Sequence, residues 1–187
     1  MEVDPIRDLG KIAEMKEALK SGDGRDELLF VMGINTALRI GDLLSLRVGD
    51  VLDEEGRISE IISLKERKTG KTKRLPLNAA VKKALSGYLA KRRGCGFSEP
   101  LFLSRKGGAL SRFQAWRIFK MAGEAIGLCG IGTHSLRKTF GYQVYKKTAG
   151  NLGLVQKLMN HSTSRVTLRY IGIDREMMDS VYLDLNL

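Results

Sequence analysis

Only two of the 187 residues are histidine, His134 and His161, and each lies beside groups suited to handling an anionic oxygen. His134 opens His134-Ser135-Leu136-Arg137, a stretch that reads as the start of a helix. A spacing of three puts His134 and Arg137 on one helical face. There the guanidinium can grip two phosphate oxygens while the imidazole moves a proton. A capping histidine followed by a surface arginine fits the same four residues. Arg39 has Leu38 and Ile40 on either side, so its backbone should be well packed. Its side chain is then either paired with an acid such as Asp42 or aimed into a cleft. Tyr170 stands apart from the other four tyrosines because of its setting. It follows the polar run Asn160-His161-Ser162-Thr163-Ser164 and closes Val166-Thr167-Leu168-Arg169-Tyr170, which would set a phenol beside a basic pocket. A core tyrosine fits that position as well.

Between Lys65 and Arg74 there are six basic residues and one acid, Glu66. As a hairpin, this ribbon would offer Lys65, Arg67, Lys71, Lys73 and Arg74 to a DNA backbone or groove. A solvated edge strand guarded by lysines has the same composition. Gly70-Lys71-Thr72 resembles part of a nucleotide-binding loop, but the first glycine of that motif would fall at Lys65. A P-loop is therefore excluded.

The elements that must position these groups are mostly helical. Asp4-Pro5 looks like a helix start, with Asp4 as cap and Pro5 in the first turn. Ile6, Leu9, Ile12, Ala13 and Leu19 then recur at helical spacing up to Gly22. A helix is predicted from Arg25 to Thr36 and a short one over Leu43, Leu44 and Leu46. Ile58, Ile61, Ile62 and Leu64 read as strand, Thr69-Gly70 as a turn, and Arg74-Leu75-Pro76-Leu77 as a returning edge strand. Asn78 should cap a helix running to Arg92, and Leu101 to Leu103 reads as a short strand. Ser111 should cap the next helix, followed by helices over Ser135 to Lys147, Leu152 to Met159, and from Arg165 onward. The fold class is mainly α with a small antiparallel β-sheet (α+β), and we expect one catalytic domain over residues 1–187.

Lysine and arginine number 32 against 21 acids, a net charge of +11. That excess favours a polyanionic partner without identifying an enzyme. Apolar residues make up 43% of the chain, an ordinary share for a globular domain. Its longest apolar run, Leu28 to Ile34, is far too short to cross a bilayer. The acidic start Met1-Glu2-Val3-Asp4 lacks the apolar core of a secretory signal. Cys95 and Cys129 lack metal-ligand spacing and read as free thiols. A cytoplasmic location is expected.

Taken in chain order, Arg39, Lys68, His134, Arg137, His161 and Tyr170 resemble the catalytic set of the tyrosine recombinase (phage integrase) family. The context is similar too: Ala37-Leu38-Arg39 before Asp42-Leu43-Leu44, Lys68 ahead of Arg74-Leu75-Pro76-Leu77, Thr133-His134-Ser135-Leu136-Arg137-Lys138-Thr139-Phe140, and His161 leading to Thr167-Leu168-Arg169-Tyr170. The likeness runs from about Asp4 to beyond Tyr170. Two departures stand out: the sequence begins too late to hold the core-binding domain that family members usually carry, as expected of a fragment or a minimal member, and Met159-Asn160 stands where many relatives have a glycine before the histidine.

The resemblance implies that Tyr170 attacks the scissile phosphate to form a 3′-phosphotyrosine, with Arg39 and Arg137 on the non-bridging oxygens. Lys68 would protonate the leaving 5′-oxygen, His134 would assist the phenol or hold the phosphate, and His161 would donate a hydrogen bond to it. It implies double-stranded DNA as partner, self-association as a tetramer, and no cofactor, metal, nucleotide or membrane; the apolar tail after Tyr170 would dock on a neighbour or, equally, pack back onto its own subunit. A type IB topoisomerase-like enzyme shares this chemistry. A non-catalytic basic DNA-binding regulator fits the charge but gives no reason for the six residues to occur together.

Overall fold

The computed structural model describes residues 3–20, 22–66, 70, 72–173 and 181–185. Helices dominate: α1 (Leu9–Leu19), α2 (Arg25–Thr36), α3 (Ile40–Leu43), α4 (Ala79–Leu89), α5 (Arg112–Ala125), α6 (Thr133–Lys147), α7 (Leu152–Met159) and α8 (Ser164–Ile171). Between α3 and α4 lies an antiparallel pair, β1 (Ile61–Lys65) and β2 (Thr72–Pro76), in the register Ile62↔Leu75 and Leu64↔Lys73.

The core is built around α2, whose Leu28, Leu29, Phe30, Val31 and Met32 are all buried. No face of this helix is left for solvent through that run, which is why its apolar pattern reads as continuous. Leu136 of α6 packs directly over Gly33 of α2, where any side chain would collide with it. That close approach brings the start of α6 to the end of α2.

A second, smaller cluster joins the last three helices through Tyr142, Val155, Met159 and Ile171. Gly141 of α6 makes it possible. A Cβ there would lie 2.6 Å from the Met159 sulfur and 2.7 Å from a methyl of Ile171. Gly141→Ala should therefore force α7 and α8 away from α6, and overpacking of this kind costs about 1–3 kcal/mol. A lowered urea midpoint is the expected readout, and an unchanged midpoint would show that the contact can yield.

Several boundaries differ from expectation. The first helix starts at Leu9, capped by Asp8, whose carboxylate accepts from the Lys11 amide at 2.9 Å. The Asp4-Pro5 signal is overridden by tertiary hydrogen bonds. The Ile6 amide donates to Thr139 Oγ1 at 2.8 Å, and the Gln143 side chain donates to the Arg7 carbonyl at 2.9 Å. The predicted strand at Leu101 to Leu103 is reduced to isolated bridges, Arg47↔Pro100 and Leu103↔Ala109. Its apolar signature comes from burial, since Leu101 and Phe102 are fully enclosed. Ile58 also lies outside β1, in a bridge with Leu52. Helix α4 stops at Leu89, short of Arg92, whose guanidinium turns back to the Leu101 carbonyl. Helix α6 begins at Thr133, two residues before the predicted Ser135. Cys95 and Cys129 are both free.

Candidate active site

Arg137 is the anchor. It sits in the second turn of α6, and its buried guanidinium donates to two main-chain carbonyls, Ala37 and Met159. Both carbonyls stand at helix C-termini, where the helix dipole is negative and a cation is favoured. Ala37 caps α2 in the left-handed region at φ 55°, a conformation that non-glycine residues seldom adopt. Three elements that are distant in sequence thus converge on one guanidinium.

Arg39 lies two residues after Ala37, its backbone held by buried Leu38 and Ile40. Its Nη1 lies 3.3 Å from the Glu66 carboxylate yet, among the described residues, makes no hydrogen bond, although the atom is buried. A buried donor without an acceptor is costly unless an oxygen arrives to take it. Glu66, at the foot of the hairpin, is itself buried. The sequence flagged it only as the lone acid in a basic run.

His134 lies in the first turn of α6, where the Gly132 amide donates to Ser135 Oγ at 3.1 Å and fixes the helix entry. Its Nδ1 is 3.2 Å from the Tyr170 hydroxyl. The same phenol ring meets His161 edge-on at 4.9 Å between centroids and lies 5.8 Å beneath the Lys138 ammonium. Lys138 is a partner of Tyr170 that sequence reasoning missed. Its only signal was its place next to Arg137.

His161 is carried by the turn between α7 and α8. Asn160 ends α7 in the left-handed region at φ 52°, a position glycine takes at least cost and asparagine next. The residue that departs from the family's usual glycine is therefore the one best able to replace it. His161 Nδ1 then lies 3.2 Å from Thr167 Oγ1, and its amide donates to the Gln156 carbonyl at 3.0 Å.

The structure thus brings Arg39, His134, Arg137, His161 and Tyr170 together. Lys68 lies outside the described residues, as do Arg67 and Lys71. Of the remaining hairpin cations, Lys65 and Arg74 are exposed, whereas Lys73 is half-buried and faces inward.

Electrostatics follow from this geometry. Burial pushes the Tyr170 phenol above its ordinary value, and Arg137 and Arg39 only partly oppose that. Desolvation outweighs the cations, so the free site holds a protonated tyrosine. Desolvation, reinforced by Arg137, Lys138, Arg39 and Arg112, lowers His134. His161 is lowered to about 4, by desolvation and then by Arg137 and Arg39. Both imidazoles are neutral at pH 7, and His134 can accept a proton.

A stability prediction follows. Below the ordinary histidine value of 6.5 the unfolded chain binds protons at positions 134 and 161 that the native state resists, at His161 down to about 4. Stability is complete above that window and is lost as pH falls through it. Denaturant midpoints should drop between pH 7.5 and 5. His161→Gln should flatten the drop, and an equal drop in that variant would contradict the assignment.

Comparison with known proteins shows the family. The phage integrase family model matches residues 3–177. The chain is 40% identical over 181 residues to the probable integrase/recombinase YoeC of Bacillus subtilis (strain 168), covering 96% of this chain and 95% of that one. It is 32% identical over 159 residues to the tyrosine recombinase XerC of Roseiflexus castenholzii (strain DSM 13941 / HLO8), covering 81% of this chain but only 48% of the relative. The crystal structure of XerA recombinase superposes with a TM-score of 0.76 at 22% identity, covering 100% of this chain and 67% of that one. A family match over nearly the whole chain, on this fold and with 40% identity to a relative covered almost end to end, leads to one assignment: the protein belongs to the phage integrase family of tyrosine recombinases.

Proposed function

We propose that this chain cuts and rejoins double-stranded DNA at specific sites through a covalent 3′-phosphotyrosine on Tyr170. The observation that carries the reading is the Tyr170 hydroxyl, 3.2 Å from His134 Nδ1 and within the field of two guanidiniums. Attack of the phenolic oxygen on phosphorus forms the Tyr–O–P bond and breaks the bond to the 5′-oxygen. The phenolic proton passes to neutral His134. Lys68, between β1 and β2 in sequence, delivers a proton to the departing 5′-oxygen. Arg137 and Arg39 meet the charge that concentrates on the non-bridging oxygens, and the unfilled Nη1 of Arg39 gains its acceptor there. His161 completes the grip. Religation runs the same steps backward, so the bond energy is kept and no nucleotide is consumed.

Lys65 and Arg74, on the outer side of the hairpin, would contact the DNA backbone, with Arg67 and Lys71 between them in sequence. DNA as substrate fits a cytoplasmic protein. Among the described residues, no helix is long and apolar enough to cross a membrane. Assembly as a tetramer on paired sites fits the exposed Val181, Tyr182, Leu183 and Leu185 of the tail.

The test is a nicked suicide duplex, which loses its 5′-hydroxyl fragment on cleavage and traps the adduct. A denaturation-resistant protein–DNA band should form in excess chelator, because guanidiniums supply the charge neutralisation. A mobility shift with no such band would leave a DNA-binding regulator as the better account.

A further inference from the structure

Strand alternation decides which hairpin cations face the site. Ile62 and Leu75 are cross-strand partners and both are buried, which fixes the register. Residues two apart share a face, so Lys73 lies on the inner side with Leu75, whereas Arg74 points outward and is exposed. A slip of one residue would exchange the two. Facing inward, Lys73 reaches the far side of the site. Its Nζ donates to the Leu158 carbonyl at 3.1 Å.

That carbonyl belongs to the last turn of α7, and the next one, of Met159, accepts from Arg137. Helix C-termini leave such carbonyls without partners inside the helix. Two cations from outside α7 satisfy neighbouring ones here, one from α6 and one from β2. Burial, followed by the nearby Arg137 and Arg39, holds the Lys73 pKa below the ordinary lysine value, and Glu66 and Asp42 oppose that only in part. An ammonium kept beside two guanidiniums at that cost is well placed to fasten one element to another.

We propose that Lys73 is a positioning residue: by fastening β2 to the C-terminal end of α7, it sets where the hairpin meets the oxygen that leaves the phosphate. The inference rests on the cleavage chemistry proposed above and adds a residue to it. The strap ties the hairpin to the same helix end that orients Arg137 and carries His161. Hairpin and clamp are thereby held in one frame before DNA arrives.

Single-turnover cleavage of two suicide duplexes tests this, one ordinary and one with sulfur in place of the bridging 5′-oxygen. Sulfur leaves without needing a proton, so it is insensitive to a misplaced general acid. Wild-type protein must first form the adduct on the ordinary duplex; failure at that stage would overturn the cleavage reading itself. Lys73→Met keeps the stem and removes the donor. It should cleave the ordinary duplex at least about tenfold more slowly, a fraction of what general acid catalysis contributes. On the sulfur duplex it should stay within about threefold of wild type, and Lys73→Arg should recover most of the ordinary rate. Equal slowing on both duplexes would place Lys73 in the clamp or the fold, against the proposal. An unslowed Lys73→Met would remove it from the site altogether. Thermal unfolding of each variant identifies a folding defect, which would appear as equal slowing on both duplexes.

Discussion

Tyr170→Phe should bind its DNA as the wild type does and form no covalent adduct. The substitution deletes one oxygen and little else. The ring keeps its edge contact with His161 and its place beneath Lys138. The hydroxyl interaction lost at His134 is worth about 1 kcal/mol in stability. The cations that attract the phosphate backbone are untouched, so affinity and its salt dependence should hold. Chemistry, by contrast, loses its nucleophile entirely. Two other tyrosines are poorly placed to substitute: Tyr88 is buried with its hydroxyl on the Leu101 carbonyl, and Tyr142 packs in the second core cluster. The readout is a gel-shift isotherm beside a denaturing gel. A residual covalent band in the variant would remove Tyr170 from its role.

Arg137→Ala should reduce cleavage at least about a hundredfold, the scale seen when one preorganised donor to a developing anion is lost. Two effects combine here. The guanidinium no longer meets the phosphate, and the Ala37 and Met159 carbonyls lose the donor that joins the ends of α2 and α7. Each orphaned buried carbonyl costs about 1–3 kcal/mol. Relief of the repulsion between Arg137 and Arg39 and the end of the arginine's own desolvation offset part of this. The stability change should therefore be smaller than the catalytic one. Arg137→Lys separates the two: it keeps a charge but lacks the planar fork that reaches both carbonyls. It should fold and still cleave poorly. Near-normal rates in Arg137→Ala would be incompatible with a phosphate clamp.

How much of this was legible in the sequence depends on the distance over which each feature is decided. Helices α2 and α7 were readable to the residue, because apolar spacing sets them within one or two turns. The start of α1 was not, because the Ile6 amide is claimed by Thr139, far along the chain. Arg39, His134, Arg137, His161 and Tyr170 were legible as a set through chain order and context. Their physical support was not. The Glu66 partner of Arg39, the two carbonyls behind Arg137 and the ammonium over Tyr170 all depend on tertiary approach. Lys73 and Arg74 look alike as adjacent basic residues. Only the pairing of Ile62 with Leu75 turns one toward the site and the other toward solvent.

Peptide mapping of the trapped complex by mass spectrometry addresses the central claim most directly, since it reads the atom that carries the DNA. After nuclease and protease digestion, the nucleotide mass should sit on the peptide containing Tyr170, joined through a 3′-phosphate. Attachment at any other side chain, or through a 5′-phosphate, would contradict the account.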